Sequence, residues 1–551
     1  MILHPVCEYL DVPAGEPRLR VAVRLRFEDR PEGERYVLRL VARGGREVVR
    51  SVAEVRPRVN TVGEWTRSEL VFEVPAADLP DGAVRLEVAA DEAGATAYPV
   101  EPSAGLLASS RRTRLGRDRW VQAVPTAGRP AVRLRLGADT RGGRLRWTAT
   151  EWLREVSFVA HARRFTWVRA ARLATRPFVP RDPVWLVGER PETARDNGLA
   201  FFRHLRSTRP DAPVYYVITA DSPMRAAVEP LGNVVTHSSW RHRVLMLHAQ
   251  VLANAYSIKH MLPSRWHPGA YMKQAAWRTG AYRVYLKHGV HLSPYAVKRA
   301  NGGYDLLAAV GEREAEALRA TSGYGDEVVV TGLARYDGLV RPQRRSRTVL
   351  FMPTWRRYLV PTLFSGSDET KVAYEGSTYQ RFITELLGSP RLAELLERHD
   401  LTLQMVPHYN LGSLLRPDDL GSARVRVLDA PTADIPGLLR SCDLLVTDYS
   451  SVQFDVAYVG TPVVYCQFDE DEYTAGHSAF SWFDTELDGF GPVTRDVEGT
   501  LAAMERYAVS GFVREPLYEE RVRSVFAHDD RCNGERLASA VDQLLARAGR
   551  R

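Results

Sequence analysis

The segment "CDLLVTDYSSVQFDVAYVGTPVVY", Cys442–Tyr465, decides the fold class of this 551-residue chain. An apolar strand, "LLVT", runs into Asp448, a helical stretch begins after Ser450 and Ser451, and a second apolar strand follows. Strands that alternate with helices at this spacing form parallel sheets with helices on both faces. The segment therefore predicts an α/β fold.

The same alternation extends over two long arrays. Residues 181–345 contain strand-like runs such as "VWLVGE" and "VYYVIT", and the pattern restarts after a basic join, "PQRRSR", with "TVLFMPT" and "LTLQMVPH". Each array is long enough for one doubly wound domain. We therefore predict two Rossmann-type lobes, residues 181–345 and 346–551, with a nucleotide-binding cleft between them.

The first 145 residues have a different pattern. Short runs such as "LRVAVRLRF" and "SELVFEV" alternate apolar and polar residues and are separated by turn formers such as "LPDG". This pattern is typical of antiparallel sheets that each have one solvated face. We expect an accessory domain that resembles a β-sandwich in residues 1–145.

A basic segment, residues 146–180, joins this domain to the first lobe. Between Glu151 and Phe178, aromatic and aliphatic residues recur at near-helical spacing and are interleaved with arginines. The pattern predicts one amphipathic linker helix. Such a helix either packs between domains with its arginines in water or lies on an anionic membrane surface, and the sequence leaves both interpretations open.

The overall charge favours anionic partners. The chain has 75 Lys and Arg residues against 67 Asp and Glu residues, a formal net charge of +8. Nucleotide phosphates, an acidic polymer or an anionic membrane would suit such a surface, whereas no zinc-finger spacing or recognition helix indicates nucleic acid. Without a signal-peptide pattern or an apolar run of about 18 residues, the protein is expected to be cytoplasmic and at most peripherally attached to the membrane.

Several polar residues directly follow strands of the second array. They are Thr354, Arg356, His408, Asp448, Ser450 and Ser451. Ligands of parallel sheets gather at such strand ends, where hydroxyl and guanidinium groups can bind phosphate. Ordinary helix capping by Asp448 or Ser450 is the alternative. Because like charges repel, Asp448 is expected to orient a neighbour and not to contact a phosphate itself.

Polar residues also follow strands of the first array. His288 comes after "RVYLK", and Glu189 and Arg190 come at the end of the first strand. A neutral imidazole can take a proton from an attacking hydroxyl, although a single histidine can equally be structural. Asp469 and Asp471 could hold a hard cation, but a solvated acidic loop explains them as well, and we predict no metal site.

Five ordered segments carry a family resemblance. They are "LKHGV", "VTGLARYD", "VLFMPTWR", "MVPHYN" and "LLVTDYSSVQFDVAYVGTPVVYCQFDEDEY". Together they resemble the CDP-glycerol glycerophosphotransferase family over roughly Asp182 to Ala527. The resemblance implies a GT-B-like pair of lobes that transfers glycerol phosphate from CDP-glycerol to a hydroxyl of a lipid-linked acceptor and releases CMP, as in wall teichoic acid synthesis. It implies no cofactor beyond the donor substrate and a peripheral association with the membrane.

The resemblance also implies roles for individual residues. His288 matches the family histidine proposed to activate the acceptor hydroxyl, and His408 matches a second histidine expected at the donor phosphates. The residues expected on the donor side are Thr354, Arg356, Asp448, Ser450 and Ser451. The further candidates on the acceptor side are Glu189, Arg190 and His291, the last because Val290 and His291 stand where the family often has Thr-Pro.

Two other functions remain open from the sequence. A GT-B glycosyltransferase with a nucleotide-sugar donor would use the same two-lobe framework. A non-catalytic protein could bind a membrane or a polymer through its β-rich domain and basic face. The sequence does not distinguish CDP-glycerol from CDP-ribitol or a lipid-linked from a polysaccharide acceptor, and it leaves the oligomeric state open.

Overall fold

A computed structural model describes the chain except residues 1, 14–15, 28–34, 43, 55–65, 117, 127–130, 162, 293–296, 344, 355, 357–358, 360–373, 408–419, 430–431, 477–480 and 550–551. Two largely antiparallel sheets come first, and two parallel sheets follow. The fold is therefore mixed α/β with parallel sheets, in the order along the chain that the sequence predicts.

Alternating strands build the N-terminal region. They are β1 (Ile2–Asp11), β2 (Arg18–Phe27), β3 (Arg35–Ala42), β4 (Glu47–Glu54), β5 (Thr66–Pro75), β6 (Gly82–Ala90), β7 (Tyr98–Pro99), β8 (Glu101–Pro102), β9 (Thr113–Arg114), β10 (Arg119–Val124) and β11 (Arg133–Ala138). One sheet has the order β5-β2-β1-β8 and the other β4-β3-β6-β11-β10-β9, with β7 paired to β6. Along β5, Leu70, Phe72 and Val74 are fully buried while Val71 is exposed. The buried side chains of both sheets form one core, so the region is β-rich, as the alternation predicts.

The first lobe contains a seven-stranded parallel sheet. Its strands are β12 (Val184–Gly188), β13 (Val214–Ile218), β14 (Val234–Thr236), β15 (Ala249–Asn254), β16 (Tyr282–Tyr285), β17 (Leu306–Ala309) and β18 (Val328–Val330). They lie in the order β14-β13-β12-β15-β16-β17-β18. The helices are Asn197–Thr208, Trp240–His248, Pro268–Ala270, Ala276–Thr279, Arg299–Gly302 and Glu312–Ser322. A sheet that grows in both directions from its first strand is doubly wound, and its ligand site is expected beyond the carboxyl ends of β12 and β15.

The second lobe repeats this topology with six described strands. They are β19 (Thr348–Met352), β20 (Thr402–Met405), β21 (Val425–Val427), β22 (Leu444–Thr447), β23 (Val463–Cys466) and β24 (Val493–Thr494). Their order, β21-β20-β19-β22-β23-β24, reverses direction between β19 and β22. The helices are Thr378–Gly388, Pro390–Arg398, Ile435–Ser441, Val452–Tyr458, Glu470–Gly476, Thr485–Asp488, Val497–Val509 and Pro516–Val525. The reversal again places the expected ligand site at the ends of the two central strands.

The last helix, Asn533–Gly549, returns to the first lobe. Asp542 on this helix forms an ion pair with Arg209, which follows the first helix of that lobe. At its start, the backbone N–H groups of Asn533 and Gly534 donate to Asp337, at 2.9 and 2.7 Å. The predicted boundary, which gives residues 346–551 to the second lobe, therefore does not hold at this end of the chain.

The linker contains two helices and not the single one predicted for residues 146–180. They are Arg141–Ala160 and Val168–Thr175. Between them Phe165 has a left-handed backbone, with φ of 64°, which an α-helix cannot continue through. Its ring is buried against Trp266 and Tyr271 of the first lobe, at centroid distances of 5.7 and 6.3 Å. Tertiary packing thus breaks the helical pattern. Within the described part of the chain, no helix has both the length and the apolar character needed to span a bilayer.

The burial pattern of β5 gives a direct test of the N-terminal core. Phe72→Ala is expected to lower the free energy of unfolding of this region by about 3–5 kcal/mol, because it leaves a cavity where a fully buried ring stood. Val71→Ala, at the neighbouring exposed position, is the matched control and is expected to change it by about 0.5 kcal/mol. Chemical denaturation of the full chain measures both. Equal effects would contradict the assignment of Phe72 to the core.

Candidate active site

A strained turn carries the first-lobe histidine out of its strand. After β16 the backbone of Lys287 is left-handed, with φ of 63°, a conformation that non-glycine residues rarely adopt. Two contacts hold it: the fully buried ammonium group pairs with the buried carboxylate of Glu314, and the carbonyl oxygen accepts from Asn197 at 2.8 Å. The turn places the next residue, His288, at the carboxyl edge of the sheet with its side chain exposed.

The His288 imidazole stacks on an aromatic ring. It lies parallel to Tyr256, with a centroid distance of 4.9 Å and an interplanar angle of 9°. The Arg190 guanidinium carbon lies 4.8 Å from the centre of the same Tyr256 ring. Partial loss of hydration lowers the pKa of His288, nearby cationic side chains lower it further, and Asp196 opposes the change. The ring is therefore neutral at pH 7, the form that can accept a proton.

His291 lies beside His288 but is already bound by protein groups. The two rings meet edge to face at 5.3 Å. Its Nε2 lies 3.0 Å from the Tyr285 hydroxyl, and its backbone N–H donates to Glu314. Burial lowers the pKa of His291 well below the ordinary value. Its carbonyl oxygen accepts a 2.7 Å hydrogen bond from the Trp482 indole of the second lobe, so this residue also joins the lobes.

The two candidates at the end of β12 have different surroundings. Glu189 is buried, and its carboxylate accepts from the backbone N–H groups of Arg195, Asp196 and Leu199 at 2.8–3.1 Å. Burial and the neighbouring Asp196 raise the pKa of Glu189 to about 7, while these hydrogen bonds oppose the rise. Glu189 therefore holds the backbone of this loop, and its expected place on the acceptor side stays a prediction. Arg190 is exposed, and no described carboxylate pairs with it.

Arg335 connects the two lobes at this point. Its Nε and Nη2 donate to the two carboxylate oxygens of Asp455 in the second lobe, each at 2.7 Å. Its Nη1 donates at 2.5 Å both to Asp196 and to the carbonyl oxygen of His288. The two carboxylates raise the pKa of Arg335 well above its ordinary value, although burial acts in the opposite direction. One guanidinium thus fixes the backbone of the candidate base relative to the second lobe.

In the second lobe, Asp448 ties together the ends of β19 and β22. Both of its oxygens accept from the backbone N–H of Thr354, at 2.8 and 3.0 Å, and one also accepts from the N–H of Tyr449. The carboxylate thus binds the backbone of both strand ends and does not cap the helix that begins at Val452. The Thr354 hydroxyl is buried and has no hydrogen-bond partner among the residues that the structure describes.

Arg356 does not have the role that the sequence suggested. It is fully buried, and it pairs with both oxygens of Asp469, at 2.6 and 2.9 Å, and with Asp448 at 2.8 Å. Its remaining bond, at 2.8 Å, is to the Thr354 carbonyl. Because these groups take four of its five N–H donors and the side chain is fully buried, the structure does not place Arg356 for the expected direct contact with a phosphate. The same ion pair occupies the carboxylate of Asp469, one of the two acidic residues that could have held a cation.

Ser450 and Ser451 lie where the lobes meet. Ser451 precedes the helix Val452–Tyr458, and its side chain makes no capping hydrogen bond. Among the described residues, the Ser450 hydroxyl accepts a single long bond, of 3.5 Å, from the N–H of Val452. A Cβ atom placed on Gly289, next to His288, would lie 3.2 Å from the Ser451 hydroxyl oxygen. The glycine therefore permits a close approach between the histidine turn and the serine pair.

His408 lies outside the described residues. The chain is described as far as Pro407, and the N–H of Val406 donates to Phe351 at the end of β19. The role of His408 therefore remains a prediction.

Three residues of the site have roles that the sequence did not assign. Tyr256 follows β15, so the strand-end rule that selected His288 would also have found it. Arg335 and Asp455 lie within the segments that carry the family resemblance. Their pairing, across 120 positions of the chain, could not be read from either segment alone.

Comparison with known proteins decides the family. The model of the "CDP-Glycerol:Poly(glycerophosphate) glycerophosphotransferase" family matches residues 169–543, more than half of the chain. The chain belongs to this family. All the site residues described above lie within the match, whereas the β-rich region precedes it.

Individual proteins and solved structures are similar to this chain at low sequence identity, between 15% and 24%. "Minor teichoic acid biosynthesis protein GgaB" of Bacillus subtilis (strain 168) is 24% identical over 373 residues, which are 66% of this chain and 40% of that protein. The chain thus spans less than half the length of this curated relative. A structure of the wall teichoic acid polymerase TagF is 16% identical, with a TM-score of 0.47 over 74% of this chain and 98% of that one. A putative UDP-N-acetylglucosamine 2-epimerase from Listeria monocytogenes is 15% identical, with a TM-score of 0.43 over 66% and 97%.

Replacement of Arg335 tests the connection between the lobes. Arg335→Met is expected to lower the free energy of unfolding by about 3–5 kcal/mol, because two buried carboxylates lose their counterion. Arg335→Lys is expected to restore only part of it, since an ammonium group cannot bind Asp455 in a forked geometry. Chemical denaturation measures both.

The control is Arg319→Met, which removes an exposed ion pair with Glu312 and a hydrogen bond to the Val328 carbonyl oxygen and is expected to cost about 1 kcal/mol. If the two methionine variants are equally stable, the Arg335 cluster does not hold the lobes together.

Proposed function

We propose that this protein transfers a polyol phosphate, glycerol phosphate first among the candidates, from a CDP-linked donor to a hydroxyl of a lipid-linked or polysaccharide acceptor, and releases CMP. The reaction would extend a teichoic-acid-like polymer. Membership of the family supports the donor class. The close approach of Gly289 to Ser451 carries the assignment of the site, because it brings a neutral histidine of one lobe to free hydroxyls of the other.

The chemistry follows from this arrangement. The acceptor hydroxyl gives its proton to the His288 imidazole while its oxygen attacks the phosphorus that carries the polyol. The bond between that phosphorus and the oxygen bridging to CMP breaks, and CMP leaves with the electron pair. Such in-line transfers are accelerated mainly by positioning and by stabilisation of the charge on the phosphoryl oxygens. The donor supplies the activated phosphate, so we assign no separate cofactor.

On the donor side, we assign contacts to the hydroxyls of Ser450, Ser451 and Thr354. The Thr354 and Ser451 hydroxyls have no protein partner among the described residues, which leaves them available for phosphoryl oxygens. Asp448 and Arg356 act as positioning residues that hold the ends of β19 and β22. His408 is proposed at the donor phosphates, as the family resemblance implies.

On the acceptor side, we assign the surface formed by Tyr256, His288 and Arg190. An exposed arginine without a carboxylate partner among the described residues can attract an acceptor that carries phosphates. His291 supports this surface from behind. In this arrangement the two lobes work as a GT-B-like pair, with the donor bound by the second lobe and the acceptor entering along the first. We further propose that the N-terminal sheets form a β-sandwich-like accessory domain.

Replacement of His288 tests the mechanism. With CDP-glycerol as donor and poly(glycerol phosphate) as hydroxyl acceptor, His288→Asn is expected to lower the kcat for CMP release by about 10²- to 10⁴-fold, the contribution of a general base, and to leave donor binding nearly unchanged. His267→Asn, at an exposed histidine of the same lobe, is the control. Since the pKa of His288 is lowered from 6.5, wild-type kcat/KM is expected to be level at neutral pH. It should fall with an inflection below 6.5, where the imidazole takes up a proton.

Full turnover by a folded His288→Asn protein would exclude the histidine as the base. The donor class is tested separately, by thermal shift with CDP-glycerol, CDP-ribitol and UDP-sugars. Stabilisation by UDP-sugars alone would favour a nucleotide-sugar glycosyltransferase, and stabilisation by no nucleotide would favour a non-catalytic binding protein.

We also propose that the protein works at the cytoplasmic face of the membrane and binds its anionic surface through the linker. Five apolar residues on one face of the helix Arg141–Ala160 form what we call the apolar stripe. They are 52–74% exposed and are Leu145, Trp152, Leu153, Val156 and Val159. The arginines Arg154 and Arg169 instead pair with the buried Glu151. A helix that only joined domains would have the opposite pattern, with apolar side chains inside and arginines in water.

Substitution within the apolar stripe tests membrane binding. Val156→Glu is expected to lower partitioning onto anionic vesicles by about tenfold or more, because it removes apolar surface from the bilayer and adds a repelled charge. Val509→Glu makes the same change at a site of similar exposure, 72% against 66%, in a second-lobe helix. Vesicle co-sedimentation compares them. Equal loss, or no loss, in both variants would rule out the stripe as the contact surface.

A further inference from the structure

A second cavity lies outside the cleft between the lobes. Its volume is about 480 Å³, and it forms where the β-rich region, the two linker helices and the first lobe meet. The side chains that matter for its chemistry are Arg112, Trp147, Arg169, Arg172, Trp277 and Arg278. Three guanidinium-bearing segments thus surround one space together with indole rings, a combination suited to an anion.

Positive charge exceeds negative charge around this cavity. Among the described side chains there, the arginines are Arg111, Arg112, Arg135, Arg154, Arg169, Arg172 and Arg278. The carboxylates paired with them are Asp139, Glu151, Glu155 and Asp305. Seven cations against four anions leave a surplus that the described protein groups do not balance.

Arg172 is a cation of this group that has no ion-pair partner among the described residues. Its Nη1 donates to the carbonyl oxygens of Arg278 and Thr279, at 3.3 and 2.5 Å, and no described carboxylate lies within ion-pair distance. Burial, and then the neighbouring Arg169, lower the pKa of Arg172. Burial also lowers the pKa of Arg154, to about 10, with Arg135 and Arg169 acting in the same direction and its ion-pair partner Glu151 opposing them. Cations held together with little water are stabilised by an anion between them.

An unpaired donor supplies an independent observation. Trp277 is 91% buried, since only 9% of its surface is exposed, and its indole N–H has no hydrogen-bond partner within the described part of the chain. Its ring lies beneath two guanidinium groups, 4.4 Å from Arg154 and 4.1 Å from Arg278. A buried N–H without an acceptor is costly, and a phosphate oxygen in the cavity would provide one.

The mouth of the cavity is apolar. Trp152 and Leu173 line it and are 52% and 70% exposed. Trp152 also belongs to the apolar stripe, so the cavity opens onto the surface proposed to face the membrane. A ligand with a phosphate at one end and an apolar body at the other would fit both parts.

We propose that this cavity binds the phosphate of an anionic phospholipid head group, with Arg172 and the Trp277 N–H as its main donors and the lipid body at Trp152 and Leu173. The assignment of the ligand as a lipid rests on the proposed membrane association. The assignment of a phosphate site rests on the residues that line the cavity. Occupancy would connect the β-rich region, the linker and the first lobe through one ligand.

The binding experiment uses the full chain and a soluble lipid. Dihexanoyl phosphatidylglycerol, kept below its micelle concentration, is titrated by calorimetry into wild type, Arg172→Gln, Arg172→Lys, Trp277→Phe and the control Arg146→Gln. Arg146 lies on the helix Arg141–Ala160, is exposed and does not line the cavity. Arg172→Gln is expected to weaken binding about tenfold, the usual value of a hydrogen bond to a charged group. Arg172→Lys should bind more tightly than Arg172→Gln, Trp277→Phe should bind more weakly than wild type, and Arg146→Gln should match wild type.

Further measurements determine whether the bound phosphate belongs to a lipid, a polymer or free phosphate. Inorganic phosphate and soluble poly(glycerol phosphate) are titrated in the same way, and vesicles of phosphatidylcholine with and without phosphatidylglycerol are pelleted with each variant. Poly(glycerol phosphate) that binds while the lipid does not would overturn the lipid assignment in favour of a polymer site. Absence of binding by every phosphate compound, or equal loss in Arg172→Gln and Arg146→Gln, would overturn the site.

CMP release from CDP-glycerol, measured with poly(glycerol phosphate) as a soluble hydroxyl acceptor and without vesicles, separates this inference from the proposed function. Arg172→Gln is expected to keep wild-type CMP release. Head-group binding by a protein that releases no CMP would contradict the transferase assignment and still support the cavity.

Discussion

The guanidinium of Arg335 binds three parts of the molecule at once: Asp455 in the second lobe, Asp196 at the start of a first-lobe helix, and the carbonyl oxygen of His288. A lysine in its place could not provide this fork. Because buried carboxylates without a counterion are strongly unfavourable, the lobes, the helix and the histidine turn are held in one relative position. The geometry of the candidate active site depends on that position, since its two halves come from separate sheets.

The second lobe contains a similar cluster of one arginine and two carboxylates. Arg356 pairs with Asp448 and Asp469, and this cluster fixes the ends of β19 and β22. Each of the two arginines is matched by two carboxylates, so neither cluster offers net positive charge to an anionic donor. Favourable interactions with phosphates therefore have to come from hydroxyls, from backbone N–H groups and from cations such as Arg190, which no described carboxylate neutralises. Arginines in this site act mainly on the protein and not on the ligand.

Much of the architecture could be predicted because it follows from local pattern. The strand "LLVT" coincides with β22, and the strand-end rule located the turn at His288 and the serine pair. What the sequence could not predict depends on partners far along the chain. The burial of Arg356 requires Asp469, 113 positions away, and the break in the linker requires Phe165 to pack against Trp266. Side-chain type indicates which chemistry is available, whereas burial, decided by tertiary contacts, determines whether a ligand can reach it.

The return of the last helix to the first lobe has a mechanical consequence. The chain crosses between the lobes twice, once before β19 and again after the helix Pro516–Val525, where the N–H of Ala527 donates to Val310 of the first lobe. Two bodies joined by a single tether can tilt in any direction, whereas two tethers leave rotation about the line that connects them. Any movement of one lobe against the other would thereby be limited to rotation about one axis, so the two chain crossings support the same relative position that Arg335 fixes.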